Sequence, residues 1–148
     1  MPVHLHWRHI LLVFAGGAVG TAARYLLSSV IPVAAGIPVG TFGINVVGAF
    51  LLGWLLEALA LRGPDTGGRL RMRLFAGTGI LGGFTTYSAF AVDADGLIVA
   101  DRPGASTLYA LATILVGAAA SVAGIALGAW LGRMRAARHG ANPPEPAP

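Results

Sequence analysis

Residues 74–100 form an apolar stretch long enough to cross a bilayer, yet the middle of it is poor material for a plain lipid-facing helix. Residues 77–90 read Gly-Thr-Gly-Ile-Leu-Gly-Gly-Phe-Thr-Thr-Tyr-Ser-Ala-Phe, four glycines followed by Thr85, Thr86, Tyr87 and Ser88. The Gly82-Gly83 pair removes two side chains and adds backbone freedom, which favours a break. A broken helix in hydrocarbon leaves amides and carbonyls unpaired, and these persist only where protein, water or an ion satisfies them. Two readings stand side by side: an ion site near mid-membrane, or glycines that only let helices pack closely.

Three further runs, 10–31, 39–61 and 105–131, have the roughly 20 apolar residues that a helical span needs. Of the 148 residues 55% are hydrophobic and only 11% charged, where a soluble domain carries about a quarter charged. The expected fold is therefore an all-α integral membrane protein with four transmembrane helices, at about 10–31, 39–61, 74–100 and 105–131. The third is broken near its middle. An N-terminal segment (1–9) precedes this membrane domain (10–132). An Arg-containing and then Pro-rich tail (133–148) follows, of which His139 to Pro148 is expected to be disordered. With no cysteine, disulfides and thiolate chemistry are excluded. The net charge of +4 comes without any lysine, and the arginines gather at the ends of apolar runs. That suits anionic lipid headgroups and membrane orientation better than nucleic acid. Function must lie within the spans or between subunits, and no nucleophile–base or carboxylate pair suggests an enzyme.

Within the spans a few polar residues carry the chemistry. His4, His6 and His9 have the spacing of a metal site but no carboxylate or cysteine beside them, so adventitious binding or none is the plainer reading. Trp7 and Arg8 suit an interfacial anchor. Gly16 and Gly20 form a small-xxx-small packing face. Arg24, a charge inside a span, either faces a functional partner or snorkels to the headgroups. Thr41 and Asn45 share a helix face, and an Asn in hydrocarbon is either interhelical glue or a pore-lining donor. Tyr87 and Phe90 share another face, as do Tyr109 and Thr113. Gly124, Gly128 and Gly132 form a second small-residue ridge. Glu57, Asp93 and Asp95 are expected towards span ends, near water.

Three stretches together resemble the CrcB/Fluc family of fluoride channels. They read Gly-Gly-Ala-Val-Gly-Thr-Ala-Ala-Arg-Tyr at 16–25, Gly-Thr-Phe-Gly-Ile-Asn-Val-Val-Gly-Ala-Phe-Leu-Leu-Gly at 40–53, and Gly-Ile-Leu-Gly-Gly-Phe-Thr-Thr-Tyr-Ser-Ala-Phe at 79–90. Each falls in its own span, in the family's order, and the likeness omits only the two ends of the chain. The resemblance implies an antiparallel dimer of four-helix subunits with two fluoride pores. It implies a structural sodium at the dimer interface, held by the backbone carbonyls of Gly82 and Thr85. It puts Asn45, Tyr87, Phe90, Thr41, Tyr109 and Thr113 along the pore and Arg24 at the vestibule. The implied function is passive export of cytoplasmic fluoride across a prokaryotic plasma membrane, which limits fluoride toxicity. Tyr87 stands where the family has phenylalanine, Ala89 where a hydroxyl is common, and Gly117 ends the hydroxyl track early.

The charge pattern bears on assembly. Arg8, the arginines at 62, 69, 71 and 73, and those at 133, 135 and 138 lie on one side of a four-span chain, which favours one orientation. The antiparallel pairing is then either a homodimer that overrides the bias or a heterodimer with an oppositely oriented relative. Two other function classes compete. A proton-coupled multidrug exporter needs a carboxylate deep in a span, and a membrane scaffold needs only packing.

Overall fold

The computed structural model describes residues 7–32, 34 and 36–140, with side chains as far as 138. The expectations for His4, His6 and the Pro-rich end of the tail fall outside the described residues. Those residues are helical throughout, apart from turns and an isolated bridge between Ala34 and Ile37. Helix α1 (Trp7–Val30) is followed by α2 (Val39–Ala60). Helix α3 (Gly67–Met72) passes without interruption into a π-wound segment (Arg73–Leu81) and a last turn, α4 (Gly82–Phe84). After two extended residues come α5 (Tyr87–Val99) and α6 (Pro103–Gly140).

Local chemistry sets the boundaries. Helix α1 stops just ahead of Pro32, since the residue before a proline is pushed out of the helical region. The turn from α5 to α6 closes with Asp101 in the left-handed region at φ 59°. The Asp101 amide donates to the Ile98 carbonyl and the Arg102 amide to that of Leu97, both at 2.9 Å. These two hydrogen bonds satisfy carbonyls that a helix end leaves open. Pro103 then starts α6, where its missing N–H costs nothing. The buried Ser106 hydroxyl donates to the Ala94 carbonyl at 2.7 Å and ties the two arms together. Across the longer turn, Arg73 pairs with Asp65, and Arg69 donates to the Pro64 carbonyl at 2.8 Å.

Among the described residues, three helices are uninterrupted and apolar enough to cross a membrane: Trp7–Val30, Val39–Ala60 and Pro103–Arg138. The stretch expected at 74–100 starts earlier, at Gly67, and is divided at Thr85 and Thr86. The last helix is longer than the sequence suggests. It has 38 residues, about 57 Å at 1.5 Å per residue, against a hydrocarbon core of about 30 Å. A helix of that length outreaches such a layer, and it carries Arg133, Arg135 and Arg138 at its end.

The packing is backbone against backbone. Helix α1 lies chiefly on the π-wound segment and α4, while α2 lies chiefly on α6. A Cβ at Gly79 would sit 2.9 Å from the Gly16 Cα, and one at Gly16 would sit 3.0 Å from that of Gly79. On the other side, Gly124 abuts Phe50 and Trp54, Gly128 abuts Glu57, and Gly132 abuts Leu61. Both small-residue ridges are thus contact faces, as small side chains in membrane helices allow. The core this leaves is thin: Ile44, Leu59, Leu81, Leu97 and Tyr109 are the buried large apolar residues. Phe14, Val30, Val92, Val99, Leu108 and Leu115 point outward, as lipid-facing side chains do.

Candidate functional site

The break between α4 and α5 is the centre of the site, and each freed backbone group raises the question of its partner. Thr85 and Thr86 are both extended. The Thr85 hydroxyl turns back to the Leu81 carbonyl at 2.9 Å. The Thr86 hydroxyl caps α5 by accepting from the Ala89 amide at 3.1 Å, the usual work of a threonine at a helix start. The Thr86 backbone is satisfied from another helix. Its N–H donates to Asn45 Oδ1 at 2.8 Å, and Asn45 Nδ2 donates to its carbonyl at 3.0 Å. Of the two readings for Asn45, the glue role is thus filled, while one of its two amide hydrogens is left over.

Arg24 also serves the break. Its Nε donates to the Gly83 carbonyl at 3.3 Å, and the Thr21 hydroxyl reaches the same oxygen at 3.4 Å. The guanidinium is therefore turned towards the protein at this level of α1, and its partner is backbone. Among the described residues, no turn, cap or side-chain donor pairs with the carbonyls of Gly82 or Thr85.

Beside the break runs a line of three rings. Tyr87 and Phe90 have centroids 5.9 Å apart and tilted by 46°. Phe90 and Tyr109 are 5.6 Å apart and nearly stacked at 28°. These spacings fall in the range where aromatic pairs attract. The line begins at the surface, with Tyr87 81% exposed, and ends in the interior, with Tyr109 5% exposed. Tyr109 on α6 stands among Asp93 of α5, Thr41 of α2 and Thr113 of its own helix. Thr113 spends its hydroxyl hydrogen on the Tyr109 carbonyl at 2.7 Å, so it offers an approaching group only its oxygen.

The structure thus gathers Thr41, Phe90, Tyr109 and Thr113 into one place and sets Asn45, Arg24, Gly82 and Thr85 around the break. Asp93 is the residue the sequence reading misplaced. It was expected near water, but Asp93 Oδ2 and the Tyr109 phenol oxygen are both buried and lack a hydrogen-bond partner among the described residues. The signal was present: Asp93 lies three residues after Phe90 and four before the buried Leu97, on one face of α5. Glu57 lies near the end of α2, in a groove with Arg62, Arg133 and Arg135.

Comparison with known proteins decides the family. The family model for CrcB-like protein, Camphor Resistance (CrcB), matches residues 11–125. The chain belongs to the CrcB family. It is 70% identical over 134 residues to the Fluoride-specific ion channel FluC 2 of Leifsonia xyli, covering 90% of this chain and 92% of the relative. It is 44% identical over 122 residues to the Fluoride-specific ion channel FluC of Agrobacterium fabrum, covering 81% and 95%. The Fluoride-specific ion channel FluC 1 of Cutibacterium acnes is 46% identical over 108 residues, covering 72% and 76%. Family membership and the three long apolar helices make this CrcB chain a multi-pass protein of the bacterial plasma membrane. The matched range encloses Arg24, Thr41, Asn45, Gly82, Thr85, Tyr87, Phe90, Tyr109 and Thr113, but stops before the arginine end of α6.

Proposed function

We propose that this chain is a fluoride-specific ion channel, which lets cytoplasmic fluoride leave down its electrochemical gradient and so limits fluoride toxicity. The observation that carries this is the 70% identity, over nearly the whole of both chains, to a protein named a fluoride-specific ion channel. The family is one of ion channels, not enzymes.

The geometry supports a route through the aromatic line. Fluoride is small and holds its water tightly, so donors must replace that water yet release the ion. The second amide hydrogen of Asn45, the Tyr109 phenol and the Thr41 hydroxyl are such donors. Ring edges at Tyr87 and Phe90 carry partial positive charge and attract an anion less strongly than a lysine does. Tyr109 can donate either to Asp93 or to a passing anion, so the carboxylate competes with the ion for that hydrogen. Arg24 supplies positive charge beside the break, in keeping with a vestibule role. The break itself has two polar ends. The start of α5 favours an anion, and the end of α4 presents carbonyls that favour a cation.

The finer reading is a dimer of four-span subunits in opposite orientations, either two copies of this chain or this chain with an oppositely oriented relative. The outward break supports it. A Cβ at Gly82 would meet nothing within 4 Å, and Tyr87 is largely uncovered. A single subunit would expose this irregular backbone to lipid, at a cost of several kcal/mol per unsatisfied group. A structural sodium fits the same place, because the carbonyls of Gly82 in α4 and Thr85 just after it are hard oxygen donors without a partner among the described residues. When bound, the ion supplies a fixed positive charge that those dipoles can face.

The cation-exporter reading meets an obstacle. Glu57 lines a cavity of about 600 Å³, but three arginines share it, and they repel cationic drugs. The test is fluoride efflux from liposomes that contain only the purified chain, followed with a fluoride electrode. Fast efflux with negligible chloride leak is expected. No efflux, with or without an oppositely oriented relative, overturns the proposal in favour of a scaffold.

A further inference from the structure

The cavity that Glu57 borders lies away from the break, between the last turns of α2 and α6. Its walls run from Trp54 to Ala58 on α2, through Leu61 and Arg62 in the turn that follows, and from Gly128 to Ala136 on α6. Gly128 packs on Glu57 and Gly132 on Leu61 along its floor, where a Cβ would collide with either neighbour. Arg62, Arg133 and Arg135 stand at its outer end, while Trp54 and Leu61 form its apolar wall. Trp54, level with Gly124 and Gly128, lies further in than the arginines, while Leu61 packs on Gly132 beside them. From Trp54 to Ala60, where α2 ends, is six residues, about 9 Å along the helix.

Charge balance points to an anion. Three arginines face one carboxylate, Glu57. Arg62 and Arg133 form no ion pair or side-chain hydrogen bond among the described residues. Guanidinium groups match phosphate oxygens in a two-pronged fork. They stand where the apolar run of α6 gives way to charge, which is where a spanning helix meets the headgroups. Basic pockets between membrane helices at this depth hold anionic headgroups. A free phosphate would use the arginines and leave the wall of Trp54 and Leu61 wet. A phospholipid uses both, with its phosphate on the arginines and the start of an acyl chain along the indole.

We propose that this groove is a binding site for one anionic phospholipid, with Arg62 and Arg133 holding the headgroup phosphate and Trp54 and Leu61 seating the chain below it. It is separate from the ion route, and it involves a stretch of α6 beyond the part of the chain shared with the family model.

The test uses the whole purified chain in detergent, with phosphatidylglycerol or phosphatidylcholine titrated in and retention read by native mass spectrometry. Phosphatidylglycerol should be retained in preference, one lipid per chain. The double variant Arg62→Gln/Arg133→Gln should lose that preference by roughly tenfold or more, since each basic group at the surface contributes about 1 kcal/mol. Ala58→Phe, which fills the groove and leaves every charge in place, should also lose it. Unchanged fluoride efflux in all variants shows that they fold. Retention of phosphatidylglycerol by Ala58→Phe would reduce the site to a surface charge patch. Displacement of the lipid by millimolar inorganic phosphate would make it a phosphate site. Equal retention of the two lipids would remove the arginines from it. Each of these results overturns the proposal.

Discussion

Asn45 shows how one side chain can hold an irregular backbone. It satisfies both the N–H and the carbonyl of Thr86, and each of those groups, left buried and unpaired, costs about 1–3 kcal/mol. Asn45→Leu is therefore expected to lower the thermal midpoint in detergent and to cut fluoride efflux at least tenfold. A lower midpoint with normal efflux in the folded fraction would leave Asn45 a structural role alone. Phe90 stands between two rings and has no polar duty. Phe90→Ile is expected to abolish efflux while the oligomer stays intact on size exclusion, and unchanged flux would remove the ring from the ion's route. At this scale the sequence was partly legible. Helical spacing paired Thr41 with Asn45 and Tyr109 with Thr113. It could not name the partners of Asn45 and Arg24, because both are main-chain atoms that every residue type possesses. Asp93 was misread for another reason. Its place near the end of an apolar run suggested water, while its face on α5 put it against Tyr109.

Among the elements, α1 and the π-wound segment meet backbone to backbone. Residues 73–81 wind more widely than an α-helix, and Gly77 and Gly79 keep that wide coil smooth. A side chain at Gly16 would collide with the Phe75 carbonyl and the Gly79 Cα, whereas one at Gly17 would meet nothing within 4 Å. Gly16→Val should thus destabilise the fold by about 1–3 kcal/mol, the usual cost of overpacking. Gly17→Ala should be neutral or slightly stabilising. Thermal unfolding of the pair measures both, and equal effects would mean that α1 does not rest on the segment as described. The glycine spacing made this ridge readable from sequence. The π winding was not, because it leaves no pattern of side chains. The reach of α6 was hidden too, since a helix that runs on into water stops looking apolar before it stops being helical.

For the whole molecule, the open question is which way the chain sits. It has no native cysteine, so Thr66→Cys in the exposed α2–α3 turn gives one clean label. Two copies in opposite orientations predict that an impermeant thiol reagent added outside intact vesicles reaches about half the chains. All or none labelled would require the oppositely oriented relative. If sodium binds as proposed, replacing it with a bulky organic cation should lower the thermal midpoint of the protein in detergent, and no shift would remove Gly82 and Thr85 as its proposed ligands. Composition alone made the membrane class and its long helices legible. A partner subunit is harder to read, because a lipid-facing surface and a subunit-facing one are made of the same apolar residues.

The paired bonds between Asn45 and Thr86 have one more consequence. A carboxamide is, atom for atom, the polar part of a peptide unit, so Asn45 behaves as a single rung of β-sheet supplied by a side chain. Glutamine carries the same group one methylene too far, and aspartate lacks the N–H that the Thr86 carbonyl needs. Position 45 would resist replacement even in a chain that had never carried an ion.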